Sequence, residues 1–157
     1  MGMVDADREF GRVSLQAAFL ETAYHVVVAE QTFVLHIGQD HPVFDELLTQ
    51  FGYSSWAIVT ACNPGAQKFS EQENTLRTER LRLAALNRGW RVCPSRNVAA
   101  RGDWPDEPGL LLPGCGEAQA GQLARAYGQL AIVCGELGQR ARLVWVSSLA
   151  ADCDESS

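Results

Sequence analysis

Six residues have the types and positions to do chemistry: Thr60, Asn63, Asn74, Trp104, Glu107 and Gln129. The apolar run SWAIVTAC, 55 to 62, reads as a strand that breaks at Asn63-Pro64. A short loop follows, and a helix begins at Ser70-Glu71-Gln72-Glu73. Strand end, loop and helix N-terminus together are where α/β-type proteins tend to hold ligands. One reading is a polar pocket lined by Thr60 and the amides of Asn63 and Asn74, with helix amides near 71 to 73 as an anion site. The other is a self-satisfied loop whose amides bond only to backbone, as asparagine does in turns. The Ser70–Glu73 capping box weakens the anion site, because Glu73 takes up free donors and repels negative charge.

Trp104-Pro105-Asp106-Glu107-Pro108 sets a tryptophan beside two carboxylates in a loop that proline stiffens. As a lid, it would offer Glu107 as the acid/base group. As structure, Trp104 would plug the core and Glu107 would cap or form an ion pair. Gln129, between a helix and a strand, either completes the pocket with Asn63 and Asn74 or bonds the helix end. His25 and His36 could face each other across a hairpin. Even with His41 nearby they make only half of a metal site, which needs three or four ligands, so no metal is expected. Cys62 adjoins the site, but no histidine is placed near it by sequence, and a strand cysteine is more often a small buried hydrophobe. Walker A, G-x-G-x-x-G, G-x-S-x-G and H-E-x-x-H patterns are missing, so no cofactor is expected.

The elements that must position these residues follow from periodicity. Residues 5 to 21 read as a helix with a broad apolar stripe. Residues 22 to 38 read as a hairpin turning at Glu30-Gln31. That turn puts Tyr24, Val26, Val28, Phe33, Leu35 and Ile37 on the core face and pairs His25 with His36. Asp40 is placed to cap the next helix, with Pro42 in its first turn and Gly52 at its end. The strand over 55 to 62 is apolar on both faces and so central. The following helix runs to about Arg88, with Gly89 as its stop. Its Arg77, Arg80 and Arg82 read as a solvated face partnered by Glu73 and Glu79. A strand over 90 to 99 contains Pro94, which suggests an edge or a bulge. Then come a loop over 100 to 109, a short strand over 110 to 112, a helix over 116 to 128 and a hairpin around Gly138-Gln139. The order predicts an α+β (mixed α/β) fold: a single mixed, largely antiparallel sheet with terminal hairpins, covered by about four helices.

The chain has 157 residues and a net charge of −6. That length suits one domain, expected over 1–147, with 148–157 as an acidic, disordered tail. An acidic chain lacks the basic face that nucleic acid requires. No apolar run reaches the ~20 residues of a membrane span. The acidic start, MGMVDADREF, has no signal-peptide core, and five widely spaced cysteines form no C-x-x-C pair. Both features point to reduced thiols and a cytoplasmic protein.

Four sets of residues in order carry a resemblance: Tyr24 with Leu35 to Gly38; Thr60-Ala61-Cys62-Asn63-Pro64 with Asn74; Trp104-Pro105-Asp106-Glu107; and Tyr127-Gly128-Gln129. Together, over roughly residues 15 to 146, the chain resembles the bacterial domain of unknown function 3293 family. The resemblance implies a bacterial, single-domain protein and no mechanism. One departure is Pro108-Gly109, where a small hydroxyl residue is expected soon after the glutamate. Two functions follow from the residues. The first is a pocket for a neutral or cationic polar molecule, binding or enzymatic, with Glu107 as acid/base and Asn63 and Asn74 orienting the ligand. The second is a non-catalytic module that pairs with a partner protein through an edge strand. Oligomeric state is left open by both.

Overall fold

The computed structural model describes residues 14–100 and 104–149. The N-terminal helix is described over 14–21, here α1. The remainder of that expected helix and residues 150–157 of the expected tail lie outside the described residues. Then follow β1 (Ala23–Val28), β2 (Gln31–Leu35), α2 (Pro42–Gln50), β3 (Ser55–Val59) and α3 (Glu71–Asn87). The order continues with β4 (Cys93–Val98), β5 (Glu107–Pro113), α4 (Glu117–Ala126), β6 (Ala131–Glu136) and β7 (Arg142–Trp145). This is an α+β fold built on one sheet of seven strands, in the order β2-β1-β4-β5-β3-β6-β7. Hairpins stand at both ends. Every pairing is antiparallel, where the element order suggested a mixed sheet.

The sheet curls until its ends meet. The amide of Gly38, just past β2, donates to the Ala141 carbonyl at 2.7 Å, and the Ala141 amide donates to Gln39 at 3.1 Å. The curl divides the core. On one face α3 and α4 pack Leu81, Ala85, Leu123 and Ala124 against Val59, Leu110 and Leu112. On the other, α2 sets Phe44, Leu47 and Leu48 against Trp56, Leu111 and Val133. α2 covers only one end of that face. The other end holds the starts of β1 and β5 and the ends of β3 and β4, and α1 lies over it. No helix among the described residues is long and apolar enough to cross a membrane.

Several local expectations need correction. The first hairpin turns at Ala29-Glu30, one residue earlier than expected, with φ of 50° and 66°. Both central residues are left-handed, which is the twist a two-residue hairpin prefers. Moving the turn by one residue shifts the pairing by two, so the core face survives and the pairing changes. His25 sits opposite Val34, not His36. His36 lies past the strand, and its amide donates to His41 Nε2 at 3.0 Å. Burial pushes the His41 pKa below its ordinary value, which suits a nitrogen that accepts. His41, not Asp40, occupies the cap of α2, without a side-chain bond. Pro94 lies in an interior strand. It is tolerated because the β1–β4 ladder reaches only to Ser95. Glu107 opens β5 instead of sitting in a loop, because its backbone pairs with Asn97. Ser148 and Leu149, expected in the tail, belong to the fold: Ser148 Oγ donates to Trp145, and Leu149 packs over Gly121.

Left-handed backbone is costly for ordinary residues by roughly 1–2 kcal/mol each. Replacing Ala29-Glu30 with Asn-Gly should therefore raise stability by about 1–2 kcal/mol. Urea unfolding of the double variant measures this, and an unchanged midpoint would contradict the assigned turn.

Candidate functional site

The sequence stops β3 with asparagine and proline, and the backbone turns sharply there. Asn63 is left-handed, with φ 48° and ψ 57°. Asparagine tolerates this region better than other residues with a side chain. The turn aims its amide into the protein, where it is buried. Asn63 Oδ1 accepts from the Phe69 amide at 2.8 Å and from Asn74 Nδ2 at 2.9 Å. Asn74 Oδ1 accepts from the Asn63 backbone amide at 2.9 Å. Asn63 Nδ2 donates to Glu107 Oε2 at 2.6 Å, and Trp104 Nε1 donates to the same oxygen at 3.0 Å. One asparagine thus ties strand end, loop, α3 and the start of β5.

The end of α4 closes on the same spot. Gln129 Nε2 donates to the Cys62 carbonyl at 2.9 Å. The Gly65 amide donates to Gly128 at 2.9 Å. Gly128 has φ 72°, and a Cβ there would stand 2.8 Å from Pro64 Cβ, so this close approach requires glycine. Arg77 is not part of a solvated face. Its Nε donates to the Ala61 carbonyl at 2.6 Å, its Nη2 donates to the Tyr127 carbonyl, and its guanidinium lies near the rings of Phe69 and Tyr127. Arg82, by contrast, pairs with Glu79 on the surface. The inward turn of Arg77 leaves no sequence signal beyond its place one helical turn after Asn74.

The helix amides near 71 to 73, which one reading offers to an anion, are closed off by the capping box. Ser70 Oγ accepts from the Glu73 amide at 3.1 Å, and Glu73 Oε1 accepts from the Ser70 amide and hydroxyl. Thr60 is engaged too: its hydroxyl donates to the Pro108 carbonyl at 3.2 Å and accepts from the Cys62 amide at 3.0 Å. At Gly109, where the departure from the family pattern lies, a Cβ would stand 2.9 Å from the Val59 carbonyl oxygen and 3.0 Å from Ser95 Oγ. A side chain has no room there. The hydroxyl beside that position comes from β4 instead.

On the α1 side these ties open onto a cavity of about 610 Å³. Tyr24, Ile58, Val133 and Leu143 give it an apolar wall beneath α1. Thr60, Cys62, Asn63, Trp104, Glu107 and Gln129 form its polar end. Asn74 is not among the lining residues; it stands behind Asn63 and holds it. Asn97, not singled out from the sequence, does line the cavity. Tyr24 pairs with Asn97 and Asn97 with Glu107, so the three side chains stand abreast on one face of β1, β4 and β5. Burial pushes the Tyr24 phenol above its ordinary pKa, and the Glu107 charge adds to the effect. Burial likewise pushes the Cys62 thiol up, which makes it a poor nucleophile near neutral pH. Its sulfur lies 3.5 Å from the Pro108 carbonyl and 3.6 Å from Thr78 Oγ1. Among the described residues no group of three or more His, Cys, Asp or Glu is placed to hold a metal ion.

Residues 59–132 match the family described as Protein of unknown function (DUF3293). The chain resembles that family. The matched stretch contains every residue of the Asn63 cluster and ends before β7. It excludes Tyr24 and Leu35 to Gly38, so it is narrower than the resemblance read from the sequence. No curated protein and no solved structure matches the chain.

The cluster predicts a graded loss of stability. Asn63→Ala leaves the Phe69 amide and Asn74 Nδ2 without their partner and takes one of two donors from Glu107 Oε2, and should cost about 3 kcal/mol or more. Gln129→Ala loses the bond to the Cys62 carbonyl and a longer one to the Tyr127 carbonyl at a half-buried site, and should cost about 1 kcal/mol. Chemical denaturation of both variants checks the order; equal losses would mean that Asn63 is not the hub.

Proposed function

We propose that the protein binds a small molecule in the cavity under α1, its apolar body against Ile58, Val133 and Leu143 and its polar head at Glu107. The carrying observation is the cavity itself. About 610 Å³ falls in the range of small-molecule sites, and an apolar wall with a few convergent polar groups is their usual make-up. On this reading Thr60, Asn63, Trp104 and Gln129 border the ligand, while Asn74 is a positioning residue. Glu107 is the group through which any proton transfer to the ligand would run. Asn63 Nδ2 and Trp104 Nε1 can only donate, so Oε2 serves as an acceptor and Oε1 is the oxygen left to exchange a proton.

A second reading, a module that docks on a partner protein, draws on Leu76, Leu83 and Leu86. They are exposed on the outer side of α3, away from the cavity.

Thermal unfolding with a panel of aryl-alkyl amines, alcohols and acids tests the first reading. A ligand at 100 times its Kd adds about 2.7 kcal/mol, which raises the midpoint by roughly 5–10 °C for a domain of this size. Ala131→Phe places a ring at the cavity wall and should abolish the rise without lowering the unliganded midpoint by more than a few degrees. A panel without any rise, or a rise that survives Ala131→Phe, would refute binding in this cavity.

A further inference from the structure

We infer that the molecule taken by this cavity carries a protonated amine, held between Glu107 Oε1 and the Asn97 side chain. The inference rests on the cavity being a ligand site and adds the class of ligand. At the polar end, donors are spent and acceptors are not. Thr60 Oγ1 donates to Pro108, Asn63 Nδ2 and Trp104 Nε1 donate to Glu107 Oε2, and Gln129 Nε2 donates to Cys62. The Tyr24 hydroxyl donates to the Phe19 carbonyl at 3.2 Å, which leaves its lone pairs facing outward from that bond. Of the side-chain donors here, only the Asn97 amide nitrogen is unengaged among the described residues.

The unused groups are acceptors. Glu107 Oε1 receives no hydrogen bond from any described residue. Asn97 Oδ1 is buried and has no partner among the described residues. Buried polar atoms nearly always have one, so an orphan at a cavity wall points to a donor from the cavity. Among the described residues the Asn97 side chain makes no hydrogen bond that would hold its amide. The terminal torsion of asparagine is broad, so the oxygen can turn toward the cavity without breaking a bond. Asn97 stands directly beside Glu107 in the β4–β5 ladder, close enough for one head group to meet both. No lysine or arginine lines the cavity among the described residues. An ammonium offers three donors and no acceptor, and its charge meets the Glu107 carboxylate. A carboxylate or phosphate head would find a single free side-chain donor, on Asn97, and a like charge.

The test compares phenethylamine, phenethyl alcohol and phenylacetate, which share a ring and differ at the head, by isothermal titration calorimetry on the full chain at neutral pH. Phenethylamine should bind roughly tenfold or more tighter than the alcohol, with phenylacetate weakest. In Glu107→Gln the two donors from Asn63 and Trp104 retain the amide oxygen, so the new NH₂ faces the cavity. The preference for the amine should then vanish or reverse. Asn97→Ala should weaken phenethylamine several-fold, yet leave the unfolding midpoint unchanged or higher because an unpaired buried oxygen is removed. If the alcohol or phenylacetate binds as well as the amine, and Ala131→Phe abolishes that binding, the cavity is a ligand site and the amine inference is wrong. If amine binding is indifferent to Glu107→Gln and Asn97→Ala, the inference is wrong as well. If none of the three probes binds, both the inference and the cavity reading fall.

Discussion

The left-handed turn at Asn63 is the constraint on which the rest of the site depends. A strand that simply continued would carry residues 63 and beyond along the sheet. The turn instead sends the chain over the end of β3 toward α3, and it aims a four-function amide inward. Three of the four are then used, the oxygen by Phe69 and Asn74 and one N–H by Glu107, and Asn74 also takes the backbone amide. A buried amide left half-paired would cost free energy, so the partners must be where they are. Glu107 is consequently fixed by a residue 44 positions away in sequence, at the first residue of β5.

The curl of the sheet sets this arrangement at the wall of a cavity. A flat sheet with α2 across one face would bury that face evenly. Here the sheet bends until Gly38 and Gln39 meet Ala141, and α2 fills only the end near Trp56 and Leu111. The other end, where β1, β4 and β5 bring Tyr24, Asn97 and Glu107 level with one another, is left to α1 and the cavity. The same row therefore has a satisfied side, through Asn63 and Trp104, and an unsatisfied side, through Glu107 Oε1 and Asn97.

Much of the fold was legible because it rests on local signals. The apolar runs, the Ser70–Glu73 capping box and the glycine after α3 state where elements begin and end, and hairpins at both ends imply a mixed, largely antiparallel sheet. The errors fall where a tertiary partner decides. Glu107 joins β5 because Asn97 is across from it, which nothing in Trp104 to Pro108 announces. Pro94 reads as an edge residue, yet an interior strand accepts it at a point where its neighbour's ladder has ended. Of the site, Thr60, Asn63, Trp104, Glu107 and Gln129 do come together, and Asn74 comes to their support. Asn63 reads as a pocket residue or as part of a self-satisfied loop; its amide and that of Asn74 satisfy one another and hold a carboxylate at a cavity wall. Arg77, which reads as part of a solvated face, and Asn97, which carries no signal, differ from their sequence reading for the same reason: an arginine on a helix and an asparagine in a strand take their meaning from what lies across from them.

The central claim is that Asn63 poises the Glu107 carboxylate at the cavity. A double-mutant cycle in binding tests it most directly, with phenethylamine affinity measured for wild type, Asn63→Ala, Glu107→Gln and the pair at a temperature where all four are folded. If Asn63 positions Glu107, removing the carboxylate matters far less once Asn63 is gone, and the two losses fall short of adding by roughly 1 kcal/mol or more. If the losses simply add, the two residues act independently, and the account of the site is wrong.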